Sequence, residues 1–87
     1  MNDQGDEVEA RFRALLGRRH FLDRERGVLL VWVAAADRAE LAALVGPLRA
    51  RHPAARITVL EAGTALAVRI SGRDPDLAEL EARYVGG

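Results

Sequence analysis

The sequence predicts an α+β fold, a two-layer α/β sandwich in which helices cover a small β-sheet. Three observations predict it. Residues 27–34 form an uninterrupted apolar run, and residues 56–60 and 65–70 form two further apolar segments close together. Three other stretches repeat their apolar residues at helical spacing. A small sheet covered by amphipathic helices buries all of these segments.

Composition limits the classes of protein to consider. The 87 residues predict one domain over residues 6–87, with a disordered tail over residues 1–5. The 13 basic and 13 acidic residues give a net charge of +0, so no overall field attracts nucleic acid. Cysteine is absent, which excludes disulfides and thiolate chemistry. Every basic residue is arginine, which is typical of a GC-rich bacterial genome.

The beginning of the chain bears on location. Residues 1–7 are mostly polar and acidic and lack the order of a secretory signal, and no apolar run approaches the length that spans a membrane. We therefore expect a cytoplasmic protein with no membrane partner.

The amino-terminal part predicts a helix. Val8, Phe12, Leu15 and Leu16 form one apolar stripe, Asp6 is the expected cap, and Gly17 marks the end. The charged segment that follows has two interpretations. It is either a plain connection or a short strand over residues 19–22 that folds back onto the apolar run.

The apolar run is predicted to be a central strand whose two faces both need cover. The two faces carry the following residues: Leu29, Val31 and Val33 on one, and Val28, Leu30 and Trp32 on the other. We expect the two later helices to cover one face. The amino-terminal helix or a second copy of the chain is expected to cover the other.

A second helix follows the central strand. Asp37 and Glu40 have the spacing of a capping box, and an apolar stripe runs from Leu41 to Leu48. Gly46-Pro47 lies inside this stripe and predicts a kink or a short break near Val45. His52-Pro53 predicts the end of the helix.

Residues 56–60 and 65–70 predict a hairpin with a four-residue turn over residues 61–64. In the favoured register Leu60 faces Ala65, and Arg56 faces Arg69. A one-residue slip is disfavoured because it would place apolar side chains on the wrong face.

The last segment, 74–84, predicts a helix that begins at Asp74-Pro75. The order of elements suits a ferredoxin-like βαββα core with an extra amino-terminal helix, in which the second hairpin strand lies beside the central strand. The optional strand over residues 19–22 would take the position of the last strand of that fold.

The inventory of reactive side chains predicts a protein that is not an enzyme. Ser71 has no histidine near it in the sequence, and His20 and His52 lack the spacing of metal ligands. Lysine is absent, which excludes a Walker lysine and a Schiff base. We expect no cofactor, no metal site and no catalytic residues.

Two candidate surfaces remain. Leu30, Trp32 and Leu60 would form an apolar interaction surface if the amino-terminal helix leaves them uncovered. Arg56, Arg69 and Arg73 form a possible anion site, since facing arginines call for a bridging anion or acid. RNA binding is disfavoured because Trp32 is the only aromatic residue in the predicted strands.

The terminal pair Gly86-Gly87 resembles the end of ubiquitin-like and sulfur-carrier proteins, whose diglycine carboxylate is activated by adenylation. In those families the pair extends from a strand, whereas here it follows a predicted helix, and a helix stop or a chain boundary is the favoured interpretation.

The leading functional prediction is a non-catalytic adaptor or regulatory module that binds a protein partner or forms a homodimer. The alternative is a small-ligand or anion sensor that uses Arg56 and Arg69. The third hypothesis is a diglycine-tailed carrier.

Overall fold

The structure is a computed structural model that describes the backbone of residues 3–86 and the side chains of residues 7–86. Over those residues the chain has three α-helices and a four-stranded antiparallel sheet, which confirms the α+β class. The elements are α1 (Asp3–Gly17), β1 (Phe21–Glu25), β2 (Val28–Ala34), α2 (Arg38–Arg51), β3 (Arg56–Ala62), β4 (Ala65–Ser71) and α3 (Asp74–Leu80). A 3₁₀ turn, Ala35–Asp37, precedes α2, and a π-helical segment, Glu81–Gly86, continues α3.

Helix α1 begins three residues before the expected cap. It starts at Asp3, so Asp6 lies within the helix, and it ends at Gly17 as predicted. The first helical turn is polar and carries no apolar stripe, so periodicity gave no sign of it. The predicted loose tail over residues 1–5 overlaps this turn, and its residues 1 and 2 lie outside the described residues.

The ambiguous segment after α1 contains a strand. Strand β1 covers Phe21–Glu25, so it begins two residues and ends three residues later than the 19–22 alternative, and it pairs with β2 through a tight turn. Gly27 in that turn has φ of 77°, a conformation that glycine adopts without strain. The strand was hard to recognise because the charged Arg24 follows Leu22 on its inner face, where an alternating pattern would have an apolar residue.

The strands lie in the order β1-β2-β4-β3. The second hairpin strand, β4, pairs with the central strand β2, as predicted, and β1 occupies the other side of β2. The central strand therefore has a partner on each edge.

The predicted register of the second hairpin is wrong by two residues. Ala62 pairs with Ala65, so the turn contains only Gly63 and Thr64. Ile57 consequently pairs with Ile70. The faces of the strands are as predicted, because a shift of two residues preserves the side to which each side chain points. The shorter turn is accessible because Gly63 adopts φ of 62°, and it lengthens both strands by further paired residues.

Helix α2 differs from the prediction at its start and in its interior. The Asp37 carboxylate forms no cap; it lies 3.3 Å from an Arg18 guanidinium nitrogen instead. The helix runs through Pro47 without the predicted short break. Pro47 removes only the bond to the carbonyl four residues earlier, at the exposed Ala43, where water can replace it. The helix ends at Arg51, as His52-Pro53 predicted.

One hydrophobic core lies between the sheet and the helices. All three helices contribute to it, together with a single face of the sheet, so the molecule has two layers. Its fully buried large side chains are Phe12, Leu15, Leu16, Leu29, Val31, Leu41, Leu44, Leu48, Leu66, Val68, Ile70 and Leu77. The expectation that α1 covers the second face of the sheet is wrong. Phe12, Leu15 and Leu16 of α1 join the same core as the other helices, because α1 packs against α2 and against the π-helical segment that continues α3.

Asp74 links the start of α3 to the first hairpin. It was expected to cap α3, but Arg73 is the residue at the cap position, without a side-chain cap bond. The Asp74 carboxylate instead accepts the Gly27 backbone N–H at 2.7 Å and an Arg24 N–H at 3.3 Å. The turn between β1 and β2 is thereby held against the beginning of the last helix.

Candidate interaction surface

The face of the sheet opposite the helices, here called the open face, carries an apolar row across all four strands. The pairing places Phe21 beside Trp32, Trp32 beside Ala67, and Ala67 beside Leu60. Leu30 lies on the same face two residues from Trp32 along β2. The three residues predicted as an interaction surface, Leu30, Trp32 and Leu60, therefore share this face.

The most exposed apolar side chains of the open face lie at the two ends of the apolar row. Phe21 is 60% exposed and Leu60 is 40% exposed, and they are the exposed large hydrophobic residues among the described side chains. Trp32 and Leu30 are half-buried by their neighbours in the sheet, and Ala67 is buried. The buried residues of the helices all belong to the core on the other side, so none of these helices shields the row.

Phe21 is the residue that the sequence analysis missed. Its role depends on the strand assignment, because only a strand that pairs with β2 places it beside Trp32. The sequence carries no clear signal of this strand, because the apolar pair Phe21-Leu22 is followed by charged residues and does not alternate with them. Exposed and half-buried residues alternate only in the folded strand.

Charged residues on the open face are separated by sign. Asp23 and Glu25 are on β1, at one edge, and Arg69 and Arg56 are on β4 and β3, toward the other. None of the four forms an ion pair with a residue whose side chain is described. The open face therefore has acidic residues on β1 and basic residues on β4 and β3. The apolar row from Phe21 to Leu60 crosses all four strands in a separate row.

The predicted like-charge pair of arginines does not form. Arg56 pairs with Ser71 and Arg69 pairs with Thr58, because the register is shifted by two residues. Both arginines remain on the open face in neighbouring rows, and Arg73 follows β4 at the end where Arg56 lies. A shallow cavity of about 580 Å³ lies at the edge of β3 and is lined by Arg49 and Arg56.

The remaining candidate residues are dispersed. Ser71 is the last residue of β4, and His20 is exposed, with its backbone N–H donating to the Trp32 carbonyl at 2.8 Å. His52 directly follows α2, and its Nε2 lies 2.8 Å from the Tyr84 hydroxyl oxygen. No group of three or more His, Cys, Asp or Glu residues in the described part of the chain could hold a metal ion.

The pKa values of His52 and Asp74 are shifted, and both residues lie away from the open face. Burial, followed by the positive charge of Arg83, lowers the pKa of His52. The Gly27 backbone hydrogen bond, with smaller contributions from Arg24 and Arg26, lowers the pKa of Asp74. Both shifts belong to contacts that hold the fold together.

Gly86, the first residue of the diglycine, ends a helical segment and not a strand, as predicted. Gly86 is the last residue of the π-helical segment Glu81–Gly86 and has φ of 79°. Gly87, the terminal residue of the pair, lies outside the described residues.

Comparison with family models, curated proteins and solved structures found no match for this chain. In residues 3–86, no helix combines the length and apolar character needed to cross a membrane.

Proposed function

We propose that this protein is a non-catalytic interaction module that self-associates through the open face of its sheet. The observation that carries the proposal is the apolar row from Phe21 to Leu60, which the described helices leave uncovered. Exposed apolar rows of this kind are typical of surfaces that a protein partner covers.

Trp32 is the central residue of the proposed surface. An aromatic residue near the centre of an interface contributes a large apolar area at low entropic cost, and such residues often dominate the binding energy. Phe21 and Leu60 extend the apolar contact toward both edges of the sheet. Asp23 and Glu25 beside Phe21 oppose the approach of phosphate, which keeps nucleic acid disfavoured as the partner.

A ferredoxin-like arrangement and a cytoplasmic location are parts of the same proposal. The order β1-β2-β4-β3 supports the first, since it places β1 where the last strand of a βαββαβ fold would lie. The cytoplasmic location stays a prediction from the sequence.

Light scattering after size exclusion tests self-association, from about 1 to about 500 µM protein, a range suited to a small interface. We expect the wild-type mass to rise from monomer toward dimer. Trp32→Glu should stay monomeric, because it places a charge at the centre of the apolar row. The matched control Ala43→Glu, exposed on α2 in the opposite layer, should associate as the wild type does. A wild-type protein that remains monomeric across the range would refute self-association.

Docking of a different protein is the other form of this function. A photoreactive benzoyl-phenylalanine in place of Phe21, in cells of the organism that encodes the chain, distinguishes the two forms. A self-adduct of twice the monomer mass supports self-association. An adduct of another mass that is lost with Trp32→Glu and is absent from the same probe at Ala43 would assign the face to a different protein.

A second candidate function is an anion sensor that uses Arg56 and Arg69. It is favoured by the lack of an ion pair for either side chain among those that the structure describes. Thermal shift against inorganic phosphate and nucleotides tests it. Arg69→Ala should abolish the stabilisation while Arg13→Ala, on α1, retains it. A wild-type midpoint that no anion raises would refute this candidate.

A further inference from the structure

We infer that the partner on the open face is a second copy of this chain, related by a two-fold axis that runs along the strands. This inference rests on the proposed function and specifies its geometry. It is carried by the distribution of charge on the open face, and the apolar row is compatible with it.

The open faces of two copies can stack in two symmetric ways, which differ in the charges that they bring together. A two-fold axis along the strands places β1 of one copy over β3 of the other, whereas an axis across the strands places each strand over itself. In the first arrangement residues in the same cross-strand row face each other. In the second, with the axis at the row that contains Asp23 and Arg69, each of these residues would face its own copy, so like charges would meet.

The rows are complementary under the axis along the strands. Glu25, Val28, Ser71 and Arg56 form one row, so Glu25 of each copy lies over Arg56 of the other. In the next row Asp23 lies beside Arg69 of the other copy. Stacked sheets are about 10 Å apart, a gap that glutamate and arginine side chains can bridge together. The four charges, which form no ion pair with a described side chain of their own copy, thus obtain partners of opposite sign.

The apolar row is also matched to itself. The axis passes between β2 and β4, so Trp32 of both copies lies near the centre. Phe21 of each copy lies over Leu60 of the other, which pairs the two exposed large hydrophobic residues twice. An aromatic residue near the centre of an apolar region, with charged residues outside that region, is common in protein interfaces.

A charge-exchange experiment tests this arrangement by sedimentation equilibrium. Glu25→Arg alone should weaken dimerisation about tenfold, because symmetry turns two attractive pairs into two repulsive ones. Arg56→Glu alone should do the same. An equimolar mixture of the two variants should recover wild-type affinity as a heterodimer, in which every pair is again opposite in charge. The double variant Glu25→Arg with Arg56→Glu should also recover.

Salt and a control variant exclude trivial explanations. The differences between single variants and mixture should shrink in about 1 M salt, where the screening length is about 3 Å. Glu79→Arg, exposed on α3 in the helical layer, should dimerise as the wild type does. Circular dichroism confirms that each variant is folded.

The outcomes separate this inference from the proposed function. A wild-type dimer that Trp32→Glu disrupts, but that the single charge reversals do not weaken or the mixture does not restore, would overturn the arrangement and leave self-association standing. A monomeric wild type would overturn both.

Discussion

His52 and Tyr84 form a polar contact at the edge of the helical core. The Tyr84 hydroxyl lies 2.8 Å from His52 Nε2, and Phe12 packs edge-on against the Tyr84 ring with centroids 5.0 Å apart. Burial raises the pKa of Tyr84, so its hydroxyl keeps its proton and can donate to neutral His52. Protonation of His52 would remove that acceptor.

The lowered pKa of His52 predicts a stability that falls with acidification. Burial first, then Arg83, lowers this pKa from 6.5, so the unfolded chain takes up the proton at a higher pH than the folded chain. The contribution of neutral His52 to the free energy of unfolding is complete above about pH 6.5 and is lost as the pH falls toward the folded-state pKa. The slope of the unfolding free energy against pH in this range stays below about 1.4 kcal/mol per pH unit. Urea unfolding of the wild type and His52→Gln between about pH 5.5 and 7.5 checks this.

The control for His52 is His20→Gln, an exposed position on the connection to β1. That variant should keep the wild-type slope of unfolding free energy against pH, whereas His52→Gln should flatten it. Equal slopes in His52→Gln and the wild type would contradict the assignment.

Asp74 gives a second prediction at the scale of one residue. Its pKa is lowered chiefly by the Gly27 backbone hydrogen bond, so its contribution is present above its ordinary pKa of 3.8 and is lost as the pH falls through the lower folded-state value. Asp74→Asn should lower the urea midpoint at neutral pH and speed the hydrogen exchange of the Gly27 amide. Asp76→Asn, two residues along α3, should leave that amide protected, and equal protection in both variants would count against the link.

Gly63 in the second hairpin and Gly17 at the end of α1 differ in backbone conformation but not in the space around them. Gly63 has φ of 62° and open space where a Cβ would lie, while Gly17 at the end of α1 also has open space but no positive φ. Any difference between alanine substitutions at the two positions therefore reports backbone conformation rather than steric contact. This makes them a matched pair.

Gly63→Ala should lower the free energy of unfolding by about 1 kcal/mol, because alanine is strained in the left-handed region. Gly17→Ala should leave stability unchanged or raise it by up to about 1 kcal/mol, through a lower entropy of the unfolded chain. Guanidinium unfolding measures both. If both substitutions had the same effect, the two-residue turn at Gly63 would be incorrect.

Among the helices and strands, apolar periodicity predicted most elements but not the features that depend on pairing between strands. The stripe from Leu41 to Leu48 and the end of α2 before Pro53 followed from local sequence alone. The register of β3 on β4 did not, since a shift of two residues leaves each face unchanged and only the turn decides between the alternatives. Strand β1 depended in the same way on its pairing with β2.

Across the whole molecule, the sheet has one face in the core and one that the described helices leave open. The apolar run of β2 correctly indicated two apolar faces, with Leu30 and Trp32 together on one of them. The sequence did not determine which face of the sheet α1 covers, because the apolar stripe of α1 can pack against either face. Phe21 and the separation of charge emerged only from the order of the strands.

Neighbouring residues on β2 should therefore affect different properties. Val31 is buried in the core and Trp32 faces outward from the adjacent position. Val31→Ala should lower the free energy of unfolding by about 2 kcal/mol, which corresponds to a decrease of about 10 °C in Tm for a domain of this size. It should leave the rise of Tm with protein concentration intact, because the open face is unchanged.

Trp32→Glu should have the opposite signature. Dimer formation stabilises the folded state by mass action, so the wild-type Tm should rise with concentration. Trp32→Glu should remove that rise, because the variant cannot form the dimer. Differential scanning calorimetry at several concentrations measures both quantities for each variant. A concentration dependence that persists in Trp32→Glu, or disappears in Val31→Ala, would show that the two faces of the sheet do not divide stability and association between them.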